Sequence, residues 1–247
     1  MDGPGAVVVF AAALATALAT GLGAGPLLLF GRLSRSSVDL ANALAGGFMV
    51  AASALLLYTG ARENISRMII GALVGVVFVA WVSRRLAARQ DVHFAALAGA
   101  DARRALLLVG VMTVHSVAEG VGVGVSFAGG AELGLVTAIA IAIHNIPEGL
   151  AISLLLVPRG VGVLRAAGWS VFTSLPQPLV AVPAFLFVAF FDGLVPLGLG
   201  FAGGAMLWMV AAQVVPSALA TTSRRAVTVA LAVSTGAMLA LEALLLA

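Results

Sequence analysis

The sequence has no cysteine and no lysine in its 247 residues. The missing thiols exclude disulfides and any thiolate metal site, including a soft site for Cu⁺. Charged residues make up only 9% of the chain, too few to cover a soluble domain. All 13 basic residues are arginine. They form no basic stripe with interleaved aromatics, so the pI near 11.0 does not point to nucleic acid. No stretch has the composition of a soluble domain or of a low-complexity tract. The zinc-peptidase spacing H-E-x-x-H is absent as well.

What is present is hydrophobicity. Apolar residues are 62% of the chain, and the mean hydropathy is +1.16. The reading is an all-α, polytopic membrane protein. MDGPG at the start holds an acid and no base, and about 25 apolar residues follow it. A signal peptide wants a basic start and a shorter apolar core. This stretch is expected to be a retained first membrane helix.

A bilayer core takes about 20 apolar residues per helix. Eight stretches qualify, at 5–31, 37–60, 67–83, 104–128, 132–157, 162–191, 195–219 and 225–246. They predict an eight-transmembrane-helix bundle forming one domain over 1–247. The longest connection, SRRLAARQDVHFAALAGADARR at 83–104, is the one sizeable candidate for a cytosolic segment. Connections after odd-numbered helices hold Arg32, Arg35, Arg84, Arg85, Arg89, Arg103, Arg104, Arg159, Arg165, Arg224 and Arg225. Those after even-numbered helices hold only Arg62 and Arg67. The positive-inside rule then makes the odd connections cytoplasmic and both termini extracytoplasmic. The cell (plasma) membrane is the expected location.

Ionisable groups deep in the spans are His115, Glu119, His144 and Glu148. They form two copies of H-x-x-x-E-G, as HSVAEG and HNIPEG. Residues at i and i+4 share a helix face, so each helix offers an imidazole beside a carboxylate. An internal repeat and two sites converging on one need both explain the pair. With Gly130 as the turn, His115 lies 15 residues before it and His144 14 after. At about 1.5 Å per residue both histidines sit at one depth, with Glu119 a turn outward and Glu148 a turn inward. Pro147 removes a backbone hydrogen bond, kinks the helix and frees the Ile143 carbonyl.

Groups this polar are costly in hydrocarbon and call for a partner. Two imidazoles and two carboxylates suit a divalent cation: Zn²⁺ first, with Fe²⁺, Mn²⁺, Co²⁺ and Cd²⁺ as alternatives. The plainer alternative is a pair of intrahelical His–Glu hydrogen bonds stapling a bundle. Asn145 fits a helix–helix hydrogen bond or a place near a metal. Gln177, between Pro176 and Pro178, fits a broken helix with exposed carbonyls or a simple kink. Gln213 reads as a packing or cavity residue, and His93 as a solvated loop residue. Asp39, Arg84 and Arg85 read as interfacial anchors. The Met and Trp of MLWMV, 206–210, read as lipid or packing contacts. Glu242 has no assigned role.

These motifs resemble those of the ZIP (Zrt/Irt-like) metal-ion transporters. HNIPEG in the fifth helix carries the resemblance most specifically. HSVAEG in the fourth, ANALAGGFMVAASALLL at 41–57 and FAGGAMLWMVAAQVVPSA at 201–218 add to it. The resemblance implies a mid-membrane metal site between helices four and five. It also implies passage of Zn²⁺ or a related ion toward the cytoplasm by an elevator-like or rocking bundle movement. Position by position, His115, Glu119, His144 and Glu148 become primary ligands, and Ser116 and Asn145 border a second metal position. The family's usual H-N-x-P-E-G in the fourth helix has Ser116 and Ala118 here. Its S-x-x-E-P phrase reads TSLPQP, with Gln177, and the acid before the seventh-helix proline is Gln213. The lost carboxylates imply a single-metal variant, with Gln177 still offering a carbonyl oxygen. The expected partners are a divalent metal ion and the lipid bilayer, with no nucleic acid and no organic cofactor. A homodimer is the candidate assembly.

An enzyme is not expected. An intramembrane metal-dependent hydrolase would need a spare acid or base once four ligands are assigned. A metal-binding sensor, or a transport-inactive relative, would bind metal without flux.

Overall fold

The computed structural model describes residues 5–31, 35–88, 99–191, 193–220 and 222–246. His93, Arg32 and Arg89 lie outside the described residues. Among the described residues the elements are helices and turns, with no strand. They are α1 (Ala6–Leu22), α2 (Gly25–Phe30), α3 (Arg35–Ala87), α4 (Gly99–Gly129), α5 (Ala131–Leu156), α6 (Val163–Ser174), α7 (Pro176–Phe190), α8 (Val195–Met209), α9 (Val215–Leu219) and α10 (Arg224–Leu245). A 3₁₀ turn, Val157–Arg159, follows α5, and a π-helical turn, Val210–Val214, joins α8 to α9.

Seven segments among the described residues are long and apolar enough to cross a membrane: Ala6–Phe30, Asp39–Leu86, Val109–Gly129, Ala131–Arg159, Val163–Phe190, Val195–Leu219 and Arg224–Leu245. The protein is a multi-pass helical membrane protein. Asp39–Leu86 has 48 residues. Drawn straight, it would run about 72 Å, more than twice the hydrocarbon thickness of about 30 Å. It is not straight. Asn64 is extended, with φ −159° and ψ 101°. A β-carbon on Gly203 would meet Leu57 at 2.8 Å, and one on the adjacent Gly204 would meet Ala72. Residues 57 and 72 therefore lie at one level of α8, so α3 doubles back at Asn64. The Asn64 side-chain oxygen accepts the Arg67 N–H at 3.0 Å, as a cap at the start of the second arm. Arg67 in turn donates to the Gly193 carbonyl at 2.8 Å.

Other expected spans are also interrupted, each for a local reason. The first is divided into α1 and α2 ahead of Pro26, and the sixth into α6 and α7 at Pro176. In the seventh, Pro216 lacks the N–H that would bond the Ala212 carbonyl, and the preceding turn widens to π.

The helices sort into two groups. α1, α4, α5, α6 and α7 pack mutually, and α3 packs with α8, α9 and α10. The groups meet where α4 lies on α8 and α3 lies on α5. The largest apolar core lies along that meeting, with Met49, Leu56, Val125, Leu199 and Met206 all buried.

Candidate metal site

The site is built where α4 and α5 run antiparallel. Gly130, with φ 146° and ψ 150°, makes the turn between them. Only glycine enters that backbone region without strain. His115, Glu119 and His144 are fully buried, and Glu148 is 7% exposed.

The sequence geometry leaves the two carboxylates a turn either side of the histidines. The side chains close that gap by crossing between helices. His115 Nε2 lies 3.1 Å from Glu119 Oε1 on its own helix and 2.9 Å from Glu148 Oε1 on the other. Glu119 Oε1 also contacts His144 Nε2 across the pair. One carboxylate thus touches both imidazoles, whose ring centres are 6.2 Å apart. One His–Glu contact is intrahelical and two are interhelical, so this is not a pair of separate staples. Ligand atoms of His115, Glu119 and His144 lie within 4.8 Å of one another, the only such cluster among the described residues. His144 Nδ1 is buried without a hydrogen-bond partner.

The glycine that follows each Glu has a separate task. A β-carbon on Gly120 would meet the Gln177 carbonyl oxygen at 2.6 Å, and one on Gly149 would collide with the Thr20 carbonyl. Each glycine therefore seats a neighbouring backbone against the site, α7 in one case and α1 in the other. The H-x-x-x-E-G pattern combines ligand-type side chains with the close packing that encloses them.

The secondary candidates are placed as follows. Gln177 is buried at the start of α7, and its amide N–H donates to Glu119 Oε2. Its carbonyl oxygen accepts from the Thr16 hydroxyl and from Asn145 Nδ2, the latter at 3.3 Å. Asn145 Nδ2 also donates to the Thr16 carbonyl at 2.9 Å, while its own Oδ1 has no partner. Ser116 is buried on α4 beside His115. The Pro176–Gln177–Pro178 stretch is the start of a helix, with Leu175 between α6 and α7. Thr20 and Ser174 share a hydrogen bond of 2.8 Å, and Ser170 donates to the Gly149 carbonyl at 3.2 Å. These contacts tie α1, α5, α6 and α7 together.

Sequence reasoning missed Thr16 and Met209. Thr16 and Thr20 stand four residues apart in an otherwise oily helix, a one-face signal that was available. Met209 gave none; its thioether sulfur lies 3.1 Å from His115 Nδ1. The packing role read for MLWMV holds for Met206, which is buried in the core.

The ZIP Zinc transporter family model matches residues 84–242. The chain belongs to the ZIP family. It is 45% identical over 235 residues to a candidate zinc transporter of Arabidopsis thaliana, covering 94% of this chain and 38% of that protein. Zinc transporter GufA of Myxococcus xanthus is 36% identical over 223 residues, 83% of this chain and 86% of GufA. Zinc transporter ZIP11 of Homo sapiens is 31% identical over 133 residues, 49% of this chain and 37% of ZIP11. This ZIP chain thus spans little more than a third of the plant relative and most of the bacterial one.

Gln213, Asp39, Arg85 and Glu242 of this ZIP protein are not among the cluster's contacts. Gln213, on the π turn, donates to Ser83 Oγ at 3.1 Å on the second arm of α3, a packing role. Asp39 is buried at the start of α3, where the Thr222 hydroxyl meets it at 3.3 Å. Arg85 lies over the Trp81 ring at 5.4 Å. Glu242 is buried on α10, with Oε1 unpartnered.

Proposed function

We propose that this ZIP protein carries divalent transition-metal cations, Zn²⁺ first, toward the cytoplasm across the plasma membrane. One ion binds at a time, to His115, Glu119, His144 and Glu148. The observation that carries this reading is their convergence: four buried ligand-type side chains from two helices, drawn together inside an apolar bundle. A cation satisfies both imidazoles, and two carboxylates balance its double charge. No cysteine competes for it. Fe²⁺, Mn²⁺, Co²⁺ and Cd²⁺ suit the same donors.

Ser116, Asn145 and Gln177 border the site as secondary groups. Gln177 turns an amide N–H, not a lone pair, toward Glu119, and this supports a single-metal site. With the α3 hairpin counted as two spans, the domain 1–247 crosses the bilayer eight times and both termini face outward. The assembly is a homodimer. The chain moves ions and performs no covalent chemistry.

The test is ⁶⁵Zn²⁺ uptake into proteoliposomes, with His144→Ala and Glu148→Ala as controls. The expected result is saturable uptake, lost in both variants. Metal bound without flux of any divalent ion would replace this reading with a sensor.

A further inference from the structure

His115 has two ring nitrogens in two different surroundings. Nε2 faces carboxylate oxygens at 3.1 and 2.9 Å. Nδ1 faces the Met209 sulfur at 3.1 Å. Two lone pairs at that distance would repel, so a hydrogen lies on Nδ1 and the thioether accepts it; the same argument places one on Nε2, toward the carboxylates, until an ion takes that lone pair. The sulfur lies on the far side of the ring from the carboxylates and cannot share with Nε2 an ion held among them. Met209 is buried, the last residue of α8, immediately before the π turn. π turns inside helices frequently mark functional positions.

We propose that Met209 is a positioning residue: its thioether accepts the Nδ1–H of His115 and turns Nε2 toward Glu119 and Glu148. The inference rests on His115 being a cation ligand. A metal-binding histidine normally donates its second N–H to a carboxylate, a carbonyl or water, which fixes the ring and raises its basicity. A thioether is a weak acceptor. It orients the ring while leaving Nε2 a modest donor, which suits a site that has to release its ion. The contact also crosses between the two helix groups, from α8 to α4. The Nδ1 edge of the His115 ring is therefore held only while those groups keep their present arrangement.

The experiment is ¹⁵N NMR of the histidine side chains in the full chain, embedded in nanodiscs, with and without Zn²⁺. Wild type is compared with Met209→Leu and Met209→Gln. Leucine keeps the volume and removes the acceptor; the glutamine carbonyl is a stronger acceptor. Without metal, wild type is expected to show a hydrogen-bonded Nδ1–H at His115, absent in the leucine variant and present in the glutamine variant. Zinc affinity is expected to fall about tenfold with leucine and to rise above wild type with glutamine. Identical His115 resonances in all three proteins would overturn the proposal. So would equal weakening by both substitutions, the mark of a packing residue. Either variant alone carries the test should the other not fold. Wild type that binds no zinc would sink the transport reading instead, and the metal-free His115 resonances would still decide the contact.

Discussion

At the scale of single residues, the proposed one-ion count turns on Gln177. Its amide completes Glu119, and its carbonyl is taken by Thr16 and Asn145. Glutamate in its place would face another carboxylate with no proton-bearing nitrogen between them, and a second cation would relieve the repulsion. Gln177→Glu is expected to raise bound zinc per chain, measured by elemental analysis of dialysed protein. An unchanged ratio would remove the single-metal argument. Protonation acts on the same donors from the opposite side. Histidine binds a metal only when neutral, and carboxylate only when ionised, so protons compete for every ligand. Zinc affinity is expected to weaken steadily from about pH 7 to pH 5. Affinity that is flat across that window contradicts the histidine ligands.

At the scale of elements, the two glycines after the glutamates make the sharpest case. Alanine at Gly149 drives a methyl into the Thr20 carbonyl, and at Gly120 toward that of Gln177. Overpacking of this kind costs about 1–3 kcal/mol. Gly149→Ala is expected to lower the thermal unfolding midpoint and to reduce uptake even though all four proposed ligands remain. A variant as stable and as active as wild type would show that α1 need not approach this closely. The sequence made some of this legible. Apolar run length located the long helices, and i,i+4 spacing put each His beside its Glu. It did not show that carboxylates would reach across helices, because spacing fixes depth along an axis and says nothing about side-chain direction. ARENIS read as a connection because of its charges, whereas the structure confines the turn to Asn64, with helix on both sides. Prolines inside apolar runs marked interruptions whose form, a break or a π turn, depends on neighbouring packing.

At the scale of the whole molecule, the two helix groups meet along apolar surface. A carrier that slides one group past the other must break that meeting, and the absence of native cysteine makes it testable. A β-carbon on Gly122 would lie 3.2 Å from the Ala202 β-carbon across the α4–α8 contact, close to disulfide range. The pair Gly122→Cys and Ala202→Cys is expected to cross-link on oxidation, to stop zinc uptake, and to recover it on reduction. Full uptake in the cross-linked protein would mean that this contact stays fixed during transport.

The groups also differ in what binds them. α1, α5, α6 and α7 are joined by hydroxyl and amide bonds that run from Thr16 and Gln177 to Ser170 and Gly149. The core between α3 and α8 is aliphatic and methionine-rich. Water competes for the first kind of bond and strengthens the second by expelling apolar surface. As solvent leaks into a thinning micelle, the group with the His–Glu cluster should therefore loosen first and its partner last. The protein's tolerance of detergent would then be set by the half that carries the His–Glu cluster.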